Sequence, residues 1–244
     1  MMNGRTMPYV VGVLLAIDAA LLLAYVSNYF VGQPFYKLTA LLDLNGERSI
    51  CVWYSSLKLF LVAALAGLHA TRHFGARDLG SWLVAGFALV LLLLSMDEIV
   101  QIHEWIGRQT DALLPNADRT ATFFQHTGIW TLLVGVPFAA AFAALLLAIK
   151  AKLALEPGCF AKIVTGMALF FLGALGFETI SNAFDDMLSL GYVILVCLEE
   201  GCEMLGATRV FWGLYGLTAH AIVVDFSGQT PGAPAAISSL PSSK

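Results

Sequence analysis

Charged residues are scarce in this chain of 244 residues: only 12% of positions are Asp, Glu, Lys or Arg, whereas 59% are hydrophobic. A water-soluble fold of this size would have too little polar surface to cover its core, so that class is excluded. The sequence contains no glycine-rich phosphate loop, no dinucleotide fingerprint and no basic patch, which indicates no nucleic-acid partner. The four cysteines form no Cys-x-x-Cys pair, so a thiol metal site is not indicated either.

Long hydrophobic runs dominate instead. Six stretches are long enough to cross about 30 Å of hydrocarbon at about 1.5 Å per residue. We therefore predict an all-α, polytopic transmembrane helical bundle of about six spans over residues 1–226. A tail rich in Pro, Ser, Gly and Ala, residues 227–244, is expected to be disordered. The predicted spans cover residues 8–30, 50–70, 79–107, 127–149, 159–184 and 192–224.

The loops between these spans predict an orientation. If the N-terminus is inside, the inner side carries seven Lys and Arg residues and the outer side carries four. Because inner loops are enriched in these residues, we expect both termini inside. The inner residues are Arg5, Arg72, Arg77, Lys150, Lys152, Lys162 and Lys244, and the outer ones are Lys37, Arg48, Arg108 and Arg119.

Acidic residues interrupt three of the predicted spans, where an unpaired charge costs several kcal/mol. The predicted topology places all of them in the outer halves of the spans, so we expect them to meet in one polar pocket. Within a continuous helix over residues 79–107, Asp97, Gln101 and Glu104 would share one stripe. Like charges at i,i+4 repel each other, so a cation or shared protons should separate them. The seven acids are Asp97, Glu98, Glu104, Glu178, Glu199, Glu200 and Glu203.

A divalent metal ion would neutralise such a pocket. Carboxylates with imidazoles suit Fe, Zn or Mn, and carboxylates with carbonyl groups suit Ca. The chain has no Glu-x-x-His motif of the di-metal carboxylate bundles, so ligand type rather than spacing supports the prediction. A protonated, hydrogen-bonded carboxyl cluster without metal is the alternative. The predicted ligands are Glu98, His103, Glu104, His126, Glu178, Glu200 and Glu203, with Asp97 and Glu199 as catalytic groups beside them.

Other polar residues give weaker indications. Asp18 in the first span and Arg209 in the sixth are expected to form a structural ion pair, or Arg209 to reach the inner surface. Ser55 and Ser56 serve more often as hydrogen-bonding groups of a helix end than as nucleophiles. Residues 35–44 form an amphipathic stretch that is either a lid over the acidic pocket or a plain turn.

Three separated motifs resemble a family of uncharacterised bacterial polytopic membrane proteins. The first is Asp43-Leu-Asn-Gly-Glu47 followed by Trp53-Tyr-Ser-Ser56, the second lies within residues 95–104, and the third is residues 198–206. The resemblance implies a bacterial inner membrane protein, with the acidic site then toward the periplasm. It implies no particular activity.

These observations leave three hypotheses for the function. The first is a metal-dependent membrane enzyme that acts on a lipid, a quinone or another apolar small molecule at the outer leaflet. The second is a proton or cation pathway, and the third is an accessory subunit that docks with a partner in a larger membrane complex.

Overall fold

The computed structural model describes residues 7–46, 48–72 and 78–227, with side chains described to residue 219. The expectations that concern Arg5, Glu47, Arg77 and the tail over 228–244, including Lys244, lie outside these residues.

The described chain is helical, and its elements follow one another closely. Two helices contain a π-helical segment in which the hydrogen-bonded ring is one residue wider. The helices are α1 Tyr9–Phe30, α2 Tyr36–Leu42, α3 Ile50–Thr71, α4 Leu79–Val100, α5 Ile102–Thr110, α6 Val136–Ala148, α7 Lys150–Leu153, α8 Cys159–Phe171, α9 Glu178–Ser181 and α10 Leu190–Ser227. The π-helical segments are Thr131–Gly135, which leads into α6, and Leu172–Phe177, which joins α8 to α9.

Five of the described helices are long and apolar enough to cross a membrane. They are Tyr9–Phe30, Ile50–Thr71, Leu79–Val100, Thr131–Ala148 and Cys159–Ser181. Helix α10 has 38 residues, enough length to cross, but its acidic residues make it less apolar than the other five. The described residues are therefore all-helical, with five helices fit to span a membrane, while the sixth span and the inside location of the termini stay predictions.

Side-chain caps fix where two of the spanning helices begin. The Ser49 hydroxyl accepts a hydrogen bond from the backbone N–H of Val52 at 3.2 Å and starts α3. The Asp78 carboxylate accepts one from the N–H of Ser81 at 2.8 Å and starts α4. Both satisfy donors that have no partner within the first helical turn.

The prediction of one continuous helix over residues 79–107 is wrong. Helix α4 ends at Val100, and Gln101 adopts a left-handed conformation (φ 59°, ψ 46°) before α5 begins at Ile102. Asp97, Gln101 and Glu104 therefore do not share a helical stripe. The physical reason is local, because the Asp97 carboxylate accepts the N–H of His103 at 2.9 Å and so caps the next helix.

Helix α10 packs most extensively against α8 and α3 and lies at the centre of the bundle. Glycines let α8 and α10 approach closely. A Cβ added to Gly206 would lie 2.6 Å from the backbone N of Phe170, and one added to Gly166 would lie 2.7 Å from the Gly206 carbonyl oxygen. This contact fixes which face of α10 turns toward α8.

Candidate functional site

One large cavity, of about 780 Å³, opens between α4, α5, the segment after residue 125, α8, α9 and α10. All seven of the acidic residues singled out from the sequence contribute to its wall. His103 and His126 line it as well. The structure thus places every candidate residue around one space, although it does not give each the same surroundings. We call this space the acidic cavity.

The Asp97–His103 pair forms where α4 turns into α5. Asp97 accepts the backbone N–H of His103 at 2.9 Å, and its second oxygen lies 2.8 Å from the His103 Nδ1. Burial of the ring disfavours the charged imidazole, but the hydrogen bond and the charge of Asp97 outweigh it and raise the pKa of His103 to about 9. His103 therefore carries a proton at neutral pH.

An aromatic contact connects this pair to Glu178. The rings of His103 and Trp130 lie 5.3 Å apart between centroids. The Trp130 indole in turn neighbours the Glu178 carboxylate. Trp130 is nearly buried, so this part of the wall is shielded from bulk water.

The two π-helical segments position Glu178 against this wall. The hydroxyl of Thr179 donates to the hydroxyl of Thr131 at 3.2 Å and thereby joins the segments. A side chain at Gly135 would clash with the side chain of Leu175, so Leu175 packs directly against the backbone of the first segment. Because a π-helical turn shifts the helix phase by one residue, it sets the direction in which Glu178 projects.

The acids of α10 approach the cavity from the opposite side. A Cβ added to Gly173 would lie 2.6 Å from the Cγ of Glu203, which shows how closely α10 passes the second π-helical segment. No described residue forms a hydrogen bond or an ion pair with the carboxylates at four positions of the wall. These are Glu98, Glu199, Glu200 and Glu203.

Glu104 and His126 are placed differently from the other candidates. Glu104 pairs with Arg108 at 3.2 Å on the exposed face of α5, so it lies at the rim. The His126 Nε2 is 2.7 Å from the carbonyl oxygen of Phe184, and the His126 backbone N–H donates to the Asn182 side chain at 2.9 Å. These contacts hold the segment before α6 to the end of α9.

Another part of the cavity wall is apolar. Phe138, Phe170 and Phe171 line it together with Leu94 and Leu175. The rings of Phe138 and Phe171 meet edge to face with centroids 6.0 Å apart. The acidic cavity therefore has a carboxylate-rich part and an aromatic part.

The described side chains do not form a ready metal site. No group of three or more His, Cys, Asp or Glu residues among them is close enough to hold an ion. The Nδ1 of His103 and the Nε2 of His126 both have protein partners. The side chains as arranged thus do not fit the predicted divalent ion.

A buried ion pair next to the acidic cavity was not anticipated from the sequence. Lys58 Nζ lies 2.6 Å from the Asp18 carboxylate and 2.9 Å from the Met204 carbonyl oxygen, and both charged side chains are only 1% exposed. The hydroxyls of Tyr54 and Thr208 donate to Asp18 at 2.9 and 2.8 Å. A lone lysine within an apolar span was the signal that could have identified this pair.

Asp18 thus has Lys58 as its partner rather than Arg209, so the predicted Asp18–Arg209 pair is wrong. The Arg209 Nε donates to the Thr165 hydroxyl at 2.5 Å on an exposed helix face. Ser56 donates to the Ser95 carbonyl oxygen at 2.7 Å and does not line the cavity, as expected of a structural serine.

The stretch over residues 35–44 borders the cavity only at its end. Helix α2 has no buried residue, whereas Leu44 is fully buried and lines the cavity together with Asn45. This placement agrees with a cover formed by the turn after α2 rather than by α2 itself.

A family model described as a domain of unknown function, DUF8692, matches residues 11–219. This agrees with the resemblance to an uncharacterised membrane protein family, while the shared motifs and the bacterial origin stay predictions. No curated protein and no solved structure matches the chain.

Proposed function

We propose a function for this chain, which belongs to the DUF8692 family, from the two-part wall of its cavity. The acidic cavity binds an amphipathic molecule drawn from the bilayer. The apolar part of that molecule lies against the aromatic wall, and a cationic head group lies among the carboxylates. Protons then pass between the head group and the acidic groups around it.

The size and the aromatic wall support an amphipathic ligand. A volume of about 780 Å³ falls within the range of about 300–1,000 Å³ that is typical of small-molecule sites. Phe138 and Phe171 offer ring faces and edges to a hydrocarbon body. A site for a hydrated ion alone would have no use for this apolar area.

The charge balance of the wall supports a cationic head group. The two arginines of the lining already have acidic partners, Arg108 with Glu104 and Arg119 with Asp111. The carboxylates of Glu98, Glu200 and the other unpartnered acids have none among the described residues. A cation would relieve their mutual repulsion, whereas an anionic head group would increase it.

The Asp97–His103 pair supports proton transfer. An ammonium head group beside Glu178 can release a proton to a carboxylate of the wall, and the protonated His103 can return a proton to the resulting neutral amine. Asp97 fixes the ring orientation and stabilises its charge. Trp130, beside both His103 and Glu178, limits the access of water.

A divalent ion, Fe, Zn, Mn or Ca, remains the second candidate for the carboxylates. The observation that favours it is the set of unpartnered acids on α4 and α10. Against it, at least three ligands would first have to move together. The test below therefore distinguishes an ion from an organic cation.

Photocrosslinking in lipid nanodiscs tests the proposal directly. Three probes share one diazirine-bearing alkyl chain and end in an amine, a hydroxyl or a sulfate. We expect the amine probe to label peptides that contain Phe138, Phe171 or Leu175, and the sulfate probe to label only lipid-facing peptides. Glu200→Gln and Glu178→Gln should each reduce cavity labelling by about tenfold, since each replaces a carboxyl group that can pair with the ammonium group by a neutral amide.

Glu156→Gln is the matched control, because Glu156 carries the same group outside the cavity wall; it should not change the labelling. Equal cavity labelling by the amine and sulfate probes would overturn the cationic head group. Elemental analysis of the same samples covers the second candidate: a stoichiometric metal that Glu178→Gln removes would replace the organic cation by an ion.

A further inference from the structure

A second, smaller cavity of about 240 Å³ lies beside the acidic cavity, and we call it the side pocket. It is enclosed by the last turns of α1, by α2 with the turn after it, and by the segment that leads into α10. Its wall carries three tyrosines, Tyr25, Tyr29 and Tyr192, and several amide and hydroxyl groups. This composition differs from that of both parts of the acidic cavity.

We infer that the side pocket binds an uncharged, hydroxyl-rich group of about the size of one sugar ring, such as a glycosyl head group. This inference goes beyond the proposed function, because it concerns different residues and a different ligand chemistry. Four observations carry it.

The first observation is that three polar groups of the side pocket have open hydrogen-bonding capacity, whereas Asn28 bonds to Thr39 and the Tyr29 hydroxyl donates to a backbone carbonyl. No described residue forms a hydrogen bond with the Tyr25 hydroxyl or with the Gln33 amide. Asp43 uses one carboxylate oxygen to accept the N–H of Asn45 at 3.1 Å and leaves the other open. A ligand that both donates and accepts hydrogen bonds satisfies such a wall, as hydroxyl groups do.

The second observation is the near absence of charge. Among the described residues that line the pocket, Asp43 is the one carboxylic acid, and no Lys or Arg is present. A phosphate or sulfate group would find no cation there and would face a carboxylate. Burial raises the pKa of Asp43, which further reduces the attraction for a cationic ligand.

The third observation concerns size and shape. The pocket is smaller than the range of about 300–1,000 Å³ that holds drug-sized ligands, so it accepts a compact group. Tyrosine rings present apolar faces beside their hydroxyls. A sugar ring also combines apolar C–H faces with hydroxyls at its edge, so the two surfaces are complementary.

The fourth observation is that the two cavities share part of their walls. Asn45, Met187 and Tyr192 line both. Between the cavities the Asn45 amide reaches the Tyr192 hydroxyl at 3.5 Å, which is a long hydrogen bond. A group bound in the side pocket therefore contacts the partition of the acidic cavity.

Binding to the full chain in phosphatidylcholine nanodiscs tests this inference, because those lipids carry no sugar. Saturation-transfer NMR would follow octyl glucoside below its micelle-forming concentration and, separately, free glucose. We expect octyl glucoside to bind and octyl phosphocholine not to compete. Binding of free glucose as well would identify a soluble sugar as the source, and its failure to bind would identify a lipid head group.

Tyr25→Phe removes the open hydroxyl without removing a protein hydrogen bond, so the fold should be unaffected. It should weaken glucoside binding by about fivefold, the worth of one hydrogen bond. Tyr36→Phe is the matched control, because Tyr36 is exposed on α2 and does not line the pocket. Asp43→Asn should also weaken glucoside binding, because a neutral amide accepts a hydrogen bond from a ligand hydroxyl less strongly than a carboxylate does.

Absence of glucoside binding, or an unchanged affinity in Tyr25→Phe, would overturn the inference. None of these results depends on Glu178 or Glu200, so failure here is distinct from failure of the proposed function.

Discussion

Asp97 binds His103 twice, through the backbone N–H at 2.9 Å and through the ring Nδ1 at 2.8 Å. The same carboxylate thus starts α5 and fixes the imidazole that faces the acidic cavity. Fold and site depend here on one side chain. Removal of the Asp97 charge should therefore affect both the start of α5 and the state of His103, and to different extents.

The first prediction is the pH dependence of this pair. The pKa of His103 is raised to about 9, above the usual value near 6.5, so its contribution to stability is complete below about pH 6.5 and is lost as the pH rises through 9. The full shift corresponds to about 3 kcal/mol, which solvent around the partly exposed pair reduces to about 1–2 kcal/mol. Unfolding of the wild-type protein and of Asp97→Asn should be compared between pH 6 and 10.

We expect Asp97→Asn to lower the free energy of unfolding at pH 6 and to leave it close to the wild-type value at pH 10. Asparagine still accepts the N–H of His103, so α5 should form in the variant. Asp118→Asn is a suitable control, because Asp118 bonds only within its own exposed turn. An equal destabilisation by Asp97→Asn at both pH values would contradict the role assigned to the charge.

The sequence was sufficient for the class of fold, because hydrophobic length alone determines which segments can cross a bilayer. It also identified the acids that line the acidic cavity, since a charge within an apolar run is costly wherever it lies. The break at Gln101 was not predictable from periodicity. A left-handed residue and a cap from Asp97 depend on a side chain that reaches six positions ahead.

Contacts between segments that are far apart in the sequence could not be predicted from it either. Asp18 and Arg209 were the obvious opposite charges, yet Lys58 lies closer to Asp18 in the folded bundle. The neighbours of the Glu178 side chain depend on the two π-helical segments, because these set the direction in which Glu178 projects. The wider turn of a π-helix has no clear sequence signal. The side pocket forms where α1, α2 and the segment before α10 meet, so no local sequence pattern indicates it.

The second prediction concerns the Lys58–Asp18 pair. Lys58→Met leaves Asp18 as an unpaired buried charge and should lower the free energy of unfolding by about 3–5 kcal/mol. The double variant Asp18→Leu with Lys58→Met removes both charges and should recover most of that loss. Thermal unfolding of detergent-purified protein measures both effects.

Lys37→Met provides the control for the second prediction, because Lys37 is exposed on α2 and should tolerate the change. A double variant no more stable than Lys58→Met would show that the network matters for more than charge pairing. The hydrogen bonds from Tyr54 and Thr208 would then be the next contacts to examine.

The third prediction concerns the contact between α8 and α10. Gly206→Ala places a methyl group about 2.6 Å from the Phe170 backbone, so the helices must separate. We expect a loss of about 1–3 kcal/mol in stability. Gly86→Ala is the matched control within α4, where an added Cβ meets nothing within 4 Å, and it should be neutral or stabilising.

The separation caused by Gly206→Ala should also reach the acidic cavity, because Glu203 lies one turn before Gly206 on α10. Cavity labelling by the amine probe should fall in Gly206→Ala and stay unchanged in Gly86→Ala. A stability loss without a change in labelling would show that the separation at Gly206 does not reach Glu203 and the acidic cavity.

The last prediction concerns the side of the membrane on which the acidic cavity lies. The excess of Lys and Arg in the inner loops predicts that both termini are inside. An odd number of crossings separates the N-terminus from the turn at Pro115–Ala117, so that turn should be outside. A reporter inserted after Asn116 should then be active only when the reporter functions outside, and one fused after Lys244 only when it functions inside. The insertion site is exposed and lies apart from the Arg119–Asp111 ion pair, so the cavity should stay intact. Inverted signals would place Glu104 and the cavity rim on the inner side, and an amphipathic ligand would then enter from the inner leaflet.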